Sequence, residues 1–531
     1  LFKTYRPTLI LLFLLALTGA YLYFFTDSDV FWGGFISMAV FYGVIFFLGT
    51  YASKFKKENS GTALMLAGRN IPLWIGIFTM SATWIGGGYI NGTAENTFRS
   101  GYGLMWVQAP WGYGLSLIIG GLLFARKMRH YRFKTMLDPL AQRFGKKMSA
   151  LLFLPALLGE IFWTAAILTA LGATFATVLG IDMRTAIIIS SLIAIAYTSI
   201  GGLWAVALTD VVQLTLIFVG LALVIPFALN SVNGWENAWT IYQDDMGGFA
   251  SFLPSRDVLG KHYYQWWDFM LLLVFGGIPW QVYFQRVLST RNETMAVRLS
   301  IFAGIICIFA ALPPILIGIT GNAVPSWIQA GAPGRPPDAS LILPYVVRYL
   351  TPPFIATIGL GTIAAAVMSS VDSSILSASS MAGWNVYKPL VKPRASNANL
   401  SKIIKRSIWI IGITATLLSL KISSVYALWF LCSDFVYCLL FPQLIAALFD
   451  KKSNQWGALA GFTVSLVLRL GGGDMTLGIP ALIPYPMAES GEVIFPFRTI
   501  AMLSGLIVIF IVSRLTRKHA PPKKLEKFPV E

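Results

Sequence analysis

Long apolar runs alternate with short polar loops along the whole chain of 531 residues. A helix needs about 20 predominantly apolar residues to cross the hydrocarbon core of a bilayer. Runs of that length recur from end to end. The pattern predicts about fourteen spans, at 8–25, 31–51, 69–98, 103–124, 149–179, 184–200, 203–229, 263–286, 299–319, 351–381, 407–421, 425–448, 455–471 and 497–515. No small-residue cleavage site follows the first run and a second comes at once, so the first is expected to be a retained helix.

The third span is unusual. Its middle reads Ser81-Ala82-Thr83-Trp84-Ile85-Gly86-Gly87-Gly88-Tyr89-Ile90-Asn91-Gly92-Thr93-Ala94-Glu95. Each glycine costs roughly 1 kcal/mol against alanine in a helix, so three in a row predict an opened turn. In a bilayer an opened turn is tolerated where the backbone is buried in protein or lines a cavity. Discontinuous helices of this kind build the ion and substrate sites of secondary transporters. The alternative is a glycine-rich packing face for a neighbouring helix. The eighth span is interrupted in the same way at Gly276-Gly277-Ile278-Pro279, followed by Trp280. An odd number of spans separates the two starts, so they run in opposite directions. The fold expected is therefore an all-α polytopic membrane protein with a 5+5 inverted repeat. Its segments are two flanking helices at 1–62, a first repeat at 63–229, an outer loop at 230–262, a second repeat at 263–448, two further flanking helices at 449–515 and a basic tail at 516–531.

Composition narrows the class. Hydrophobic residues make up 56% of the chain and charged residues 12%, which excludes a soluble enzyme. The net charge of +17 is not a nucleic-acid signal, because the basic residues sit in short loops. Lys54, Lys56 and Lys57 follow the second span, and Arg126, Lys127, Arg129, Arg132 and Lys134 the fourth. Arg286 and Arg291 follow the eighth, Lys388, Lys392 and Arg394 the tenth, and Lys451 and Lys452 the twelfth. Arg514, Arg517, Lys518, Lys523 and Lys524 follow the last. Every such loop follows an even-numbered span, so all lie on one side. The positive-inside rule makes that side the cytoplasm, and Lys3 and Arg6 put the N-terminus there as well. The partner expected is thus the lipid bilayer, with both termini cytoplasmic and the sequons at Asn292 and Asn399 unglycosylated. Cys307, Cys432 and Cys438 fall inside apolar spans, which offers no disulfide framework or cysteine metal site.

Gly201-Gly202-Leu203-Trp204-Ala205-Val206 with Thr209-Asp210-Val211-Val212-Gln213, and Ala364-Ala365-Ala366-Val367-Met368-Ser369-Ser370-Val371-Asp372-Ser373-Ser374 with Ser377, resemble the motifs of the sodium/solute symporter family. The stretch Thr83–Glu95 resembles the choline-carrying branch of that family. So do Gly159-Glu160-Ile161-Phe162-Trp163, Gly276–Leu288, and Leu428-Trp429 ahead of Ser433-Asp434. The resemblance covers about residues 31–515. It implies a fold of the leucine-transporter type, sodium-driven import of choline across the plasma membrane by alternating access, and chloride dependence. No motif among the residues accounts for the chloride.

The residues can be read beside that resemblance. A quaternary ammonium has no N–H to donate, but aromatic faces attract it, each contact being worth ~0.5–2 kcal/mol. Aromatics fall near mid-span at Trp84, Tyr113, Trp163 and Trp280, and Trp429 lies nearer the outer end of the twelfth span. The resemblance implies the same five positions for substrate binding. The bland alternative is core packing, or the interfacial belts to which Trp32, Trp74, Trp106 and Trp384 are assigned. Ala366, Ser369, Ser370, Ser373, Ser374 and Ser377 recur at spacings of three and four and share one helix face. Sodium is a hard cation that takes oxygen ligands. The family's principal sodium site, carried over by motif, comprises the carbonyls of Ala82, Ile85 and Ala366 with the hydroxyls of Ser369 and Ser370. A small-residue packing stripe is compatible with it. A carboxylate within a span reads as functional. In relatives the position of Asp210 belongs to a second sodium site, here with Ser373. A structural bond to Thr209 or a backbone amide is the other reading. Glu160, Asp372 and Asp434 are further buried-acid candidates. The rival functions are a symporter for betaine or another osmolyte, and a transporter-like ligand sensor. No nucleophile–base pair or metal cluster suggests an enzyme.

Overall fold

The computed structural model describes residues 2–25, 30–52, 65–179, 182–198, 203–422, 424–488 and 493–529. Lys54, Lys56, Lys57, Gly201 and Gly202 lie outside the described residues. The described chain is helical, with isolated bridges but no strand. Two helices open it, α1 (Phe2–Phe25) and α2 (Trp32–Ala52). The first interrupted span follows as α3 (Leu73–Trp84) and α4 (Gly87–Phe98). Next come α5 (Ala109–Ile119), α6 (Lys146–Leu179), α7 (Met183–Thr198) and α8 (Leu203–Asn230). The second interrupted span is α9 (Tyr263–Gly276) and α10 (Gln281–Ser289). It leads into α11 (Glu293–Phe309), α12 (Leu312–Asn322), α13 (Pro353–Met381) and α14 (Asn397–Ser419). The chain ends with α15 (Val425–Phe435), α16 (Phe441–Phe449), α17 (Gln455–Gly471) and α18 (Phe497–Leu515). Among the described residues, nine helical stretches are long and apolar enough to cross a membrane. The half-helices at the first break are too short or too polar to be among them.

The first break is narrower than the glycine run. α3 stops at Trp84, Ile85 leaves the helical region at φ −89°, ψ 49°, and Gly86 is extended at φ −87°, ψ −172°. Gly87 and Gly88 already belong to α4. Neither Ile85 nor Gly86 has a positive φ, so glycine is not needed here for backbone freedom. It is needed for proximity. A Cβ on Gly86 would overlap Ser370 Oγ and lie 3.3 Å from the Ala366 carbonyl oxygen, and one on Gly87 would overlap the Val367 side chain. A Cβ on Gly88 would meet nothing nearer than 3.8 Å. The first two glycines therefore let the opened turn press against α13. At the second break, Trp280 is extended and caps α10. Cβ atoms on Gly276 and Gly277 would run into the Ser433 carbonyl and Ser116 respectively.

α13 is the central helix. Every residue from Gly359 to Met381 is buried, although many are serine. It packs on α2, α6 and α8. The last two helices, α17 and α18, pack on each other through small residues. A Cβ on Gly461 would lie 2.6 Å from the Gly505 carbonyl oxygen, the close backbone approach that small residues permit in membranes. An ion network ties this pair to the bundle. Arg469 Nη2 lies 2.6 Å from Asp434 Oδ2 and 2.7 Å from Asp474 Oδ2, and Arg498 Nε lies 2.8 Å from Asp434 Oδ2. Asp434, one of the buried-acid candidates, thus has a structural role.

One loop charge is a correction. Arg286 was expected in a loop after the eighth span, but α10 runs on to Ser289 and Arg286 is fully buried within it. A guanidinium pays for such burial only with carboxylates and hydroxyls around it, and these are supplied by distant segments of the chain. Arg291, two residues after the helix, is exposed and remains a loop charge.

Candidate functional site: aromatic rings beside two helix breaks

The two breaks meet at a cluster of rings. Trp84 ends α3 and Trp280 starts α10, and their ring centroids are 6.3 Å apart. Trp163, from the middle of α6, lies 6.1 Å from Trp84 and 5.5 Å from Trp280. Tyr113, from α5, lies 4.9 Å from Trp84. Trp429, from α15, stacks on Tyr113 at 5.3 Å. All five aromatics expected from the sequence are therefore in one continuous, buried group. A sixth, Tyr89, was not anticipated. It sits 5.7 Å from Trp429, and its hydroxyl donates to the Cys307 carbonyl. The signal for it was present: Tyr89 lies on the same interrupted span, just beyond the glycines.

Polar groups fix these rings. The Trp280 Nε1–H donates to the Gly276 carbonyl at 2.6 Å, across its own break. The Tyr113 hydroxyl is bonded to Ser433 Oγ. The buried Trp84 Nε1–H has no acceptor among the described residues, and an indole N–H buried in a ring cluster usually finds one. It can serve a ligand oxygen.

The hydroxyl face of α13 meets the opened turn. Ser369 Oγ lies 3.1 Å from the Ala82 carbonyl oxygen and 3.0 Å from that of Ala366. Ser370 Oγ donates to the Thr83 carbonyl at 3.1 Å. Ala82, Ile85, Ala366, Ser369 and Ser370 are all buried, and Thr83 joins them as an oxygen donor the sequence reading did not include. The set offers two hydroxyls and several carbonyls, which is the chemistry of a hard monovalent ion site.

Asp210 and Ser373 meet differently. Thr79 Oγ1 donates to Asp210 Oδ2 at 2.5 Å, and Arg286 Nη2 lies 3.7 Å from the same oxygen. The same guanidinium donates to Ser373 Oγ at 2.7 Å. Asp210 and Ser373 are therefore joined through Arg286. The Thr209 hydroxyl bonds the Val206 carbonyl.

A cavity of about 660 Å³ opens beside α15, lined by Trp106, Phe269, Phe430, Asp434 and Arg498 among others. Among the basic residues that follow α5, Asp138 is a buried hub. Its carboxylate accepts from the backbone of Lys134 and Thr135, and from the Trp384 indole at 3.2 Å and the Asn385 amide at 3.0 Å. Burial pushes the Asp138 carboxyl above the usual range, against the pull of these donors. Trp384 is flanked by the Lys134 and Lys388 ammonium groups, each 4.4 Å from its ring centroid. Neither the Asp138 hub nor its reach to Trp384 was legible in the sequence.

Comparison with known proteins agrees with this geometry. The model of the sodium:solute symporter family matches residues 64–465. The chain is 48% identical over 505 residues to "High-affinity choline transporter 1" of Drosophila melanogaster, covering 93% of this chain and 80% of that one. It is 44% identical over 515 residues to "High affinity choline transporter 1" of Homo sapiens, covering 93% and 88%. In fold it resembles a Na+-coupled sialic acid symporter solved in a substrate-bound outward-open state, with a TM-score of 0.75 over 93% of this chain and 99% of that one, at 21% identity. The architecture is that of the leucine-transporter type. With its interrupted helices joined at a buried hydroxyl face and a ring cluster, this chain belongs to the sodium:solute symporter family.

Proposed function

We propose that the chain imports choline together with sodium by alternating access. The observation that carries this reading is the convergence of Trp84, Tyr113, Trp163, Trp280 and Trp429 from five helical spans onto one buried point beside both breaks. Ring faces are what a trimethylammonium group can use, and the Trp84 N–H is available for the choline hydroxyl. The relatives named for choline transport support the same cargo. The rings touch one another, so the cargo enters as they part. The cavity beside α15 is the approach from outside, and the Asp138–Trp384–Asn385 contact is the barrier on the cytoplasmic side, where the basic loops and both termini lie. The repeats run over 63–229 and 263–448, and the membrane is the plasma membrane.

Sodium joins the carbonyls of Ala82, Ile85 and Ala366 to the hydroxyls of Ser369 and Ser370. It thereby fixes the opened turn, and Trp84 with it, against α13. Binding energy for the ion is in this way converted into order of the aromatic pocket. The full chain in proteoliposomes should accumulate labelled choline when sodium is outside, and not when potassium replaces it. Uptake that ignores sodium would remove the reading. Replacing chloride by gluconate in the same assay reads out the chloride dependence that the family resemblance implies. Ser369→Ala with Ser370→Ala removes two oxygens from the ion shell. The sodium concentration for half-maximal uptake should rise by roughly tenfold or more, the scale on which metal sites respond to lost partners. An unchanged sodium curve would put the ion elsewhere.

A further inference from the structure

The membrane spans bury three acids, Asp210, Asp372 and Glu160, and a guanidinium, Arg286, that lies against the first of them. One guanidinium cannot balance three carboxylates. It is also already committed, lying against Asp210 and donating to Ser373. The site expected at Asp210 and Ser373 therefore has a cation of its own, while Glu160 has no ion pair among the described residues.

Glu160 lies on α6, one turn before Trp163. Ser374 Oγ donates to its Oε2 at 2.9 Å and lies 3.2 Å from its backbone carbonyl oxygen. Thr164 Oγ1 donates to the same carbonyl at 2.7 Å and sits 2.8 Å from Ser374 Oγ. A carboxylate, a carbonyl and two hydroxyls thus converge between α6 and α13, and Glu160 Oε1 has no hydrogen-bond partner among the described residues. Glu160 is 1% exposed, so water does not serve that oxygen from the surface. A buried carboxylate with one neutral donor is costly to keep ionised unless a cation or a proton joins it. A proton needs one acceptor; a nest of hard oxygens suits a metal cation. A single carboxylate among neutral oxygens suits a monovalent ion, since divalent sites gather several acids.

We propose that Glu160, Thr164 and Ser374 form a second sodium site. It is separate from the one at Ser369 and Ser370, and lies one turn from it along α13 and one turn from Trp163 along α6. An ion here ties the helix that carries Trp163 to the helix that carries the principal site. This inference rests on the sodium-coupled reading but not on the identity of the cargo.

The test is equilibrium binding of radioactive sodium to the purified full chain in detergent, without choline. Glu160→Gln keeps the shape and removes the charge. It is expected to bind one sodium ion fewer per chain than the unaltered protein. Ser370→Ala should lose a different ion, so the double variant loses both. Equal sodium counts for Glu160→Gln and the unaltered chain would overturn the proposal, as would be seen if Glu160 held a proton. Should Glu160→Gln fail to fold, Thr164→Val with Ser374→Ala keeps the acid and removes two ligands. One ion should then bind about tenfold more weakly, and unchanged affinity would equally overturn the site. Choline is absent from the measurement, so a failure of choline transport leaves the sodium count readable.

Discussion

Trp280→Leu is expected to weaken choline recognition by tenfold or more, and Trp280→Phe by distinctly less. The reason is electrostatic. Each ring face contributes ~0.5–2 kcal/mol to a nearby cation, and tryptophan contributes most. Leucine keeps apolar bulk without a quadrupole, whereas phenylalanine keeps a weaker face. Trp280 also locks its own break through the bond from Nε1 to the Gly276 carbonyl. Both variants lose that bond, so it cancels in the comparison between them. The neutral isostere 3,3-dimethylbutanol supplies the complementary measurement. It has the shape of choline with carbon in place of nitrogen. Losing cation–π energy from several rings predicts competition weaker than choline by roughly tenfold or more. A merely hydrophobic pocket predicts that leucine is tolerated and that the isostere binds as well as choline. Inhibition constants for both compounds, on the unaltered chain and the two variants, decide between these accounts.

Gly86→Ala is expected to shift the sodium dependence of uptake to much higher concentrations, while Gly88→Ala leaves it close to normal. The two residues are two apart in the same glycine run, so propensity alone predicts similar effects. Their surroundings differ. A methyl group on Gly86 would fall on Ser370 Oγ and crowd the Ala366 carbonyl, both groups of the proposed principal sodium site. On Gly88 it would have 3.8 Å to its nearest neighbour, Ile167. Overpacking a tight core costs typically ~1–3 kcal/mol, and here the group displaced is a proposed ion ligand. A loss of sodium affinity of about tenfold to a hundredfold follows for Gly86→Ala. Gly88→Ala also gains helix propensity, since Gly88 lies inside α4. Sodium titrations of uptake on both variants test the pair. Equal loss in the two would mean that the turn needs glycine for flexibility and not for contact.

Arg286 shows the limit of charge counting in a membrane sequence. A basic residue at the end of an apolar run, with Arg291 close behind, reads as a loop charge. Its burial is decided by Thr79, Asp210 and Ser373, which come from three other helices. Arg469 is the same case within the flanking pair. It is legible only as an intramembrane charge until Asp434 and Asp474 are seen beside it.

By itself the sequence determined where the chain becomes helical, because spans of the required length are local facts of hydropathy. It also determined where two helices open, because glycine runs and Gly-Ile-Pro are local breakers of a helix. The serine face of α13 followed from spacing alone. The tertiary structure decided what those features meet. It brought five rings from separate spans together, pressed the opened turn onto Ser369 and Ser370, and put Arg286 between Asp210 and Ser373. It also gathered the nest at Glu160 and the hub at Asp138. Each of these is a contact between residues far apart in the chain, set by how helices pack, and no local pattern encodes it. The glycines make the difference plain. Their positions could be read from the sequence, but which of them is indispensable depends on the helix that lies against them.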